Sequence, residues 1–249
     1  MHRLLVESEA LKLDSPVLPK DAENHLKVLR PKDGEEIELF DGKGGWRVYS
    51  VEKSGGGGQW KLISSSGLLH VQTSASRLTL FACVTKGSRS DWTIEKATEL
   101  GVTRIVPVIS ARTIVRIPQE ERAAKRDRWL RIAEDAARQS DAKWLPEILE
   151  PVDFAASLEL VKKTRCLVGA LTDPPPRMIL DELLRSPASA SDFNCSLFVG
   201  PEGDFTPEEL ASLVAIATPV SFGPTILRAE TAAIFGVSVL AAFAAARVR

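Results

Sequence analysis

Apolar and polar positions follow two rhythms along the chain, and the rhythm changes near residue 72. Before that point the period is two. "EEIELFDGKGGWRVYSVEK" holds two alternating runs around a "DGKGG" turn, which predicts a β-hairpin. Its alternation places Ile37, Leu39, Trp46, Val48 and Val51 inward, and Glu36, Glu38, Arg47 and Tyr49 toward water, with some slippage allowed at the turn. "GGGGQWKLISS" predicts a flexible surface loop at Gly55–Gly58 that feeds another strand. The first 72 residues therefore read as a small β-rich domain.

From about residue 77 strands alternate with helices. "RLTLFACVTK" predicts a strand, "DWTIEKATEL" a helix capped by Ser90 or Asp91 and ended by Gly101, and "RIVPVIS" the next strand. That order is a βαβ unit and favours a parallel sheet. "PQEERAAKRDRWLRIAEDAARQS" predicts a long amphipathic helix with Trp129, Ile132, Ala133 and Ala136 inside. Its outer face carries Arg122, Lys125, Arg126, Arg128 and Arg131 among acidic residues. "RCLVGAL", "CSLFVG" and "PVSFG" predict three more short buried strands, each followed by a helix. "TAAIFGVSVLAAFAAA" is apolar on nearly every face, short for a membrane span, and is expected as a buried helix.

Composition narrows the function classes. Apolar residues make up 44% and charged residues 26% of 249, an ordinary globular balance that suits two domains. The net charge of −1 supplies no bulk attraction to nucleic acid, so RNA binding must rest on local patches. "MHRLLVESEA" does not read as a signal peptide. Cys83, Cys166 and Cys195 stand singly in apolar runs, which predicts free thiols in a reducing cytoplasm. The three histidines and three cysteines have no zinc-site spacing, so no metal is expected.

Candidate chemistry concentrates in two stretches near the C-terminus. In "FVGPEGDFTPEEL" a strand runs into a Gly-rich turn, and a helix starts at once. Thr206 and Glu209 have capping-box spacing, and Pro207 takes the first helical position. Such a turn at the carboxyl edge of an α/β sheet is where ligands bind. Phosphate fits poorly: both phosphate-binding glycine motifs are absent, and Glu202 and Asp204 would repel an anion. A purine, a ribose or a cation suits the turn better, and a purely structural turn accounts for it equally well. "FGPTILRAETAAIFG" repeats the plan of strand, Gly-Pro turn, irregular segment and helix. It sets Arg228 and Glu230 beside very apolar neighbours, where an Arg228–Glu230 or Arg–helix-end structural contact is the bland alternative.

Together these stretches resemble the RsmE-type 16S rRNA uridine-N3 methyltransferases. "NHLKVLRPKDGEEIELFDGKG", "KGSRSDWTIEKATELGVTRIVPVISART" and "AARQSDAKWLPEI" extend the resemblance in the family's order across most of the chain. The resemblance implies an α/β fold: a SPOUT-type, Rossmann-like parallel sheet with a C-terminal trefoil knot, over residues 73–249. A small PUA-like β-barrel for RNA binding would precede it, over residues 1–72. It implies S-adenosylmethionine as cofactor, 16S rRNA in the small (30S) ribosomal subunit as substrate, and a cytoplasmic homodimer without membrane or metal.

Carried onto this sequence, the cofactor site comprises Leu171, Phe198, Val199, Gly200, Pro201, Glu202, Gly203, Phe222, Gly223, Ile226, Leu227, Arg228, Thr231 and Ala232. Arg228 is expected to steady the uracil anion, and Glu230 or Glu202 to accept its proton or brace a loop. Arg3, Arg30, Lys86, Arg89, Arg112 and Arg116 are the candidate RNA contacts, with Lys27 nearby in sequence to Arg30. Three departures stand out. Asp204 replaces a common glycine, and Thr225 replaces a frequent arginine; "SDAKW" also lacks an arginine often found there. They leave open a non-catalytic RNA-binding or assembly factor that keeps the fold. An unrelated nucleotide-dependent α/β enzyme is disfavoured by the missing phosphate motifs.

Overall fold

A computed structural model describes residues 1–54, 59–72, 76–161, 165–185 and 193–247. The expected loop at Gly55–Gly58 lies outside them. The chain divides into two compact units, Met1–Thr73 with Glu134–Leu145, and Ser74–Ala133 with Pro146–Arg249.

In the first unit β1 (His2–Leu5), β2 (Glu36–Phe40), β3 (Gly45–Ser54) and β4 (Gln59–Ser64) pair in that order, and β5 (Leu69–His70) adds to β3. The predicted hairpin is β2–β3, with Ile37 opposite Tyr49 and Leu39 opposite Arg47. The facing of β3 differs from the sequence reading by one residue. Tyr49 and Val51 are buried with Ile37 and Leu39, whereas Trp46 and Val48 lie half-buried on the other face. The "GKGG" turn sets the register, and a shift of one residue exchanges the faces.

Glu38 is buried as well, not solvated. Two cations hold it: Arg3 Nε at 2.7 Å and Lys143 Nζ at 2.6 Å. Arg3 lies 4.2 Å over the Phe40 ring, and Lys143 4.6 Å over Trp46. Arg3 also donates to the carbonyls of Ala137 and Ala142. Burial is tolerated here because each charge has an opposite partner and further donors or acceptors. Helix α1 (Lys20–Leu29) ends at Arg30, which takes a left-handed φ of 50°.

The second unit is a seven-stranded sheet in which every pair is parallel. Its order is β12 (Thr218–Val220), β10 (Arg165–Gly169), β11 (Asn194–Val199), β6 (Arg77–Cys83), β7 (Arg104–Ile109) and β8 (Glu147–Ile148), with β9 (Val152–Asp153) also on β7. Both faces are buried, so the strands read as continuous apolar runs. One face sets Leu80, Ile105, Leu167 and Leu197 against α2 (Arg89–Glu99), α3 (Gln119–Ser140), α5 (Ile179–Arg185) and α7 (Ala229–Arg247). The other stacks Phe81 on Phe198 at 4.2 Å, beneath α4 (Phe154–Glu159) and α6 (Pro207–Val214).

The expected helix ends are modified locally. α2 has Ser88 at its N-cap, with no side-chain cap bond. Ser90 instead accepts from the Thr85 amide, and Asp91 accepts from the Trp129 indole at 3.0 Å and pairs with Arg128. Gly101 has the left-handed φ expected just past the helix. In α6 the capping box is complete, with Leu213 buried and Val214 exposed. α7 buries Ala233, Val237 and Leu240 on the sheet, yet only 39% of its most apolar 18-residue window is buried. It is long and apolar enough to cross a membrane, and it is a buried helix on one side only.

Candidate functional site

Three strands of the second unit, β10, β11 and β12, end side by side. Beyond their carboxyl ends lies a cavity of about 280 Å³, where an open parallel sheet places its ligands. Its walls are the end of β10 with the loop to Leu171, the "GPEGDF" turn after β11, and the segment 220–232 that leads into α7.

The β11–α6 turn is held at several points. Thr206 Oγ1 accepts from the Glu209 amide at 3.2 Å, and Glu209 Oε2 from the Thr206 amide at 3.0 Å. The other oxygen of Glu209 accepts from the Ala111 amide at 2.8 Å, tying the loop after β7 to the turn. Arg112 donates to the carbonyls of Gly203 at 2.8 Å and Phe205 at 3.3 Å. Asp204 has φ 59°, which explains why glycine suits this position. Aspartate is among the few other residues that adopt it, and Oδ1 accepts from the next amide, Phe205, at 2.8 Å. The departure therefore leaves the turn closed, with a carboxylate at the cavity wall.

Close approach shapes the opposite wall. A Cβ on Gly169 would lie 2.4 Å from the Phe222 ring, so only glycine lets that ring seat against β10. Gly223 has φ 138°, and the Ser221 hydroxyl accepts from its amide at 3.2 Å. Ile226 is 80% exposed and Leu227 is part-buried against the core.

Charge is distributed unevenly. Glu202 and Asp204 bring two carboxylates to the cavity and Arg228 one guanidinium. Arg228 is exposed and makes no hydrogen bond or ion pair with its side chain among the described residues, so no Arg228–Glu230 contact forms. Glu202 and Glu230 both turn to Arg89: Nη1 lies 2.9 Å from Glu202, and Nε 3.7 Å from Glu230. At the end of β6, burial pushes the Cys83 thiol up to about 12.

The structure brings eleven of the fourteen expected cofactor residues to the cavity: Leu171, Val199, Gly200, Pro201, Glu202, Phe222, Gly223, Ile226, Leu227, Arg228 and Ala232. Phe198 is buried in the opposite core, Gly203 packs against Arg112, and Thr231 points outward from α7. Of the expected catalytic residues, Glu202 and Arg228 line the cavity and Glu230 stands off it. Sequence reasoning missed Gly169, Ala170, Val220, Ser221 and Ala229, and used Asp204 and Thr225 only as departures. The glycine closing the β10 run was the available signal.

The expected RNA contacts separate into two groups. Arg3, Arg89 and Arg112 are committed to the internal bonds described above. Arg30, Lys86 and Arg116 are exposed and make no side-chain hydrogen bond or ion pair among the described residues. Three of the basic residues on α3 are likewise spent within the unit, Arg122 on Asp153, Arg126 on Asp127 and Glu150, and Arg128 on Asp91.

Comparison with known proteins agrees with this geometry. An RNA methyltransferase domain model matches residues 72–241, and an RNA methyltransferase PUA domain model matches residues 18–58. The chain is 32% identical over 236 residues to a Synechocystis ribosomal RNA small subunit methyltransferase E, covering 93% of this chain and 74% of that protein. A Mycobacterium bovis protein of the same name is 33% identical, covering 83% and 78%. Among solved structures, the chain superimposes with TM-score 0.80 on a Legionella pneumophila protein described as a methyltransferase with bound SAM, at 28% identity and coverage of 97% and 96%. A Neisseria gonorrhoeae ribosomal RNA small subunit methyltransferase E bound to S-adenosyl methionine gives 0.79, at 28% identity and coverage of 96% and 95%. The fold is thus the SPOUT-type parallel sheet accompanied by a PUA-like domain.

Proposed function

The chain belongs to the ribosomal RNA small subunit methyltransferase E family, and from that premise we propose that it methylates N3 of one uridine in 16S rRNA. The methyl donor is S-adenosylmethionine and the substrate class is ribosomal RNA. The observation that carries the finer reading is the pairing of walls at the cavity. Carboxylates stand on the "GPEGDF" turn, and an unpaired guanidinium stands on the facing segment.

The residues present fit the donor. Apolar walls of Leu171, Val199, Phe222 and Leu227 suit adenine, turn backbone groups suit its ring edges, and Glu202 and Asp204 suit a cationic centre. When bound, S-adenosylmethionine supplies an electrophilic methyl group on a sulfonium. The chain's own part is to prepare the acceptor. N3 of neutral uracil carries a proton, which must leave before or during transfer. Arg228 is placed to donate to a uracil carbonyl and stabilise the negative charge that develops there. Glu202 keeps one carboxylate oxygen on Arg89, and its other oxygen is the proposed acceptor of the N3 proton. Glu230, away from the cavity, acts through Arg89 rather than on the base.

Arg30, Lys86 and Arg116 are the proposed phosphate contacts, which would make binding salt-dependent. The proposal extends to the trefoil knot in the C-terminal part of the chain, to a cytoplasmic location, and to a homodimer. The outward side of α7, with Phe235 exposed, is the surface a second subunit would cover. The alternative of a non-catalytic factor loses its main support, because Asp204 completes the turn.

The test is methyl transfer from labelled S-adenosylmethionine to small ribosomal subunits that lack the modification, with the product nucleoside identified by mass spectrometry. N3-methyluridine at a single site is expected. Methylation at another atom would overturn the N3 assignment, and no transfer despite cofactor binding would overturn the substrate.

A further inference from the structure

Glu230 is the odd charge of the second unit. Its side chain is only 12% exposed, and it sits in the first turn of α7, directly after Arg228 and Ala229 at the cavity wall. Among the described residues Oε2 is buried with no hydrogen-bond partner, and Oε1 faces the Arg89 guanidinium at 3.7 Å. A carboxylate so placed is costly unless a cation compensates it. Arg89 is that cation, and it is shared: its Nη1 donates at 2.9 Å to Glu202 on the β11–α6 turn.

One side chain from the start of α2 therefore grips two walls of the cavity. Glu202 belongs to the turn, and Glu230 to the helix turn that presents Arg228 and Ala229. Among the described residues, no other ion pair joins these two walls. We propose that Arg89 is a positioning residue for the cofactor cavity, fixing the "GPEGDF" turn and the first turn of α7 at the separation the methyl donor needs. This rests on the reading of the cavity as the S-adenosylmethionine site. Arg89, expected from sequence to contact RNA, is thereby assigned to the donor side of the reaction.

The arrangement has a consequence that a merely stabilising ion pair lacks. Removing Arg89 leaves Glu230 buried without a counter-charge, and α7's first turn must move to solvate it. Neutralising Glu230 as well removes the cause of that movement. The loss from Arg89 is therefore conditional on the charge of Glu230.

The experiment measures S-adenosylmethionine affinity by calorimetry, and methyl transfer at saturating cofactor, in the full chain. Arg89→Gln is expected to weaken cofactor binding by about tenfold or more, the scale of leaving a buried charge unpaired. Arg89→Lys, which keeps the charge, is expected to retain most of the affinity. Arg89→Gln with Glu230→Gln is expected to bind more tightly than Arg89→Gln alone. Turnover at saturating cofactor should fall less than affinity does. Wild-type affinity in Arg89→Gln, or a double variant as weak as the single one, would overturn the assignment. Should Arg89→Gln fold poorly, Arg89→Lys and the double variant decide the question by the same affinities. A wild-type protein that binds no S-adenosylmethionine would overturn the cavity reading and this inference together. Normal wild-type binding with an unaffected variant would overturn the inference alone.

Discussion

Gly169→Ala tests whether the Phe222 ring sets the size of the cavity. The glycine ends β10, and its added Cβ would lie 2.4 Å from Phe222 Cε2 and 2.8 Å from Cζ. Ordinary contact begins near 3.4 Å, so the ring must retreat by about 1 Å. Its other edge faces Gly236 of α7, where an added Cβ would stand 3.3 Å from the ring, so a second glycine also admits its close approach. The open direction is the cavity that Phe222 lines. Overpacking of this kind costs about 1–3 kcal/mol. If displacement into the cavity takes up that strain, it falls on ligand binding, where about 1.4 kcal/mol is tenfold in affinity. The expected outcome is cofactor binding weakened by roughly tenfold to a hundredfold. The melting temperature without ligand should change little. Calorimetric titration with S-adenosylmethionine and a thermal melt of the same sample measure both. Adding Phe222→Leu should recover part of the affinity by shortening the clashing side chain. A Gly169→Ala protein that melts and binds as wild type would refute the reasoning. So would one that loses stability and keeps its affinity.

Further outcomes follow from the same geometry. Arg228→Ala should lower single-turnover methyl transfer about a hundredfold or more, with cofactor affinity little changed, since its guanidinium is unpaired and free to act on the transition state; near-normal turnover in the folded variant would end its assigned role. Arg3→Ala should destabilise the protein by about 3 kcal/mol in denaturant unfolding, because it breaks a buried pair while Lys143 still holds Glu38; weakened RNA binding with unchanged stability would restore the surface role expected from sequence. The three thiols should resist iodoacetamide at pH 8.5 in the native state and react once unfolded, since burial raises Cys83, Cys166 and Cys195 to about 12. Because the folded state keeps these protons above the ordinary thiol value of about 8.5, stability should fall as pH rises through 9 toward 12. Unchanged stability across that range would contradict the burial.

Local chemistry made much of this protein legible before its structure. The hairpin announced itself through "DGKGG" and period-two alternation, and the parallel sheet through apolar runs separated by helical patterns. Thr206, Pro207 and Glu209 specified a helix start because capping needs only neighbours in sequence. The two Gly-Pro turns could be recognised as cavity walls for the same reason: turn geometry is written in a few adjacent residues.

What sequence left undecided were partnerships across distance. Arg3, Arg89 and Arg112 looked like surface cations, and nothing in their neighbours revealed Glu38, Glu202 or the Gly203 carbonyl as partners, 35 to 113 residues away. Alternation on β3 put Trp46 inward and Tyr49 outward, and the structure reverses the two, because the turn decides register and both residues are apolar enough to be buried. Gly169 acquired its meaning only when α7 and the segment before it brought Phe222 against β10. Secondary structure and turn chemistry depend on neighbours a few residues apart, so they could be read along the chain. The pairing of charges and the fit of one ring against one glycine join residues far apart in sequence, so they exist only once the chain has folded.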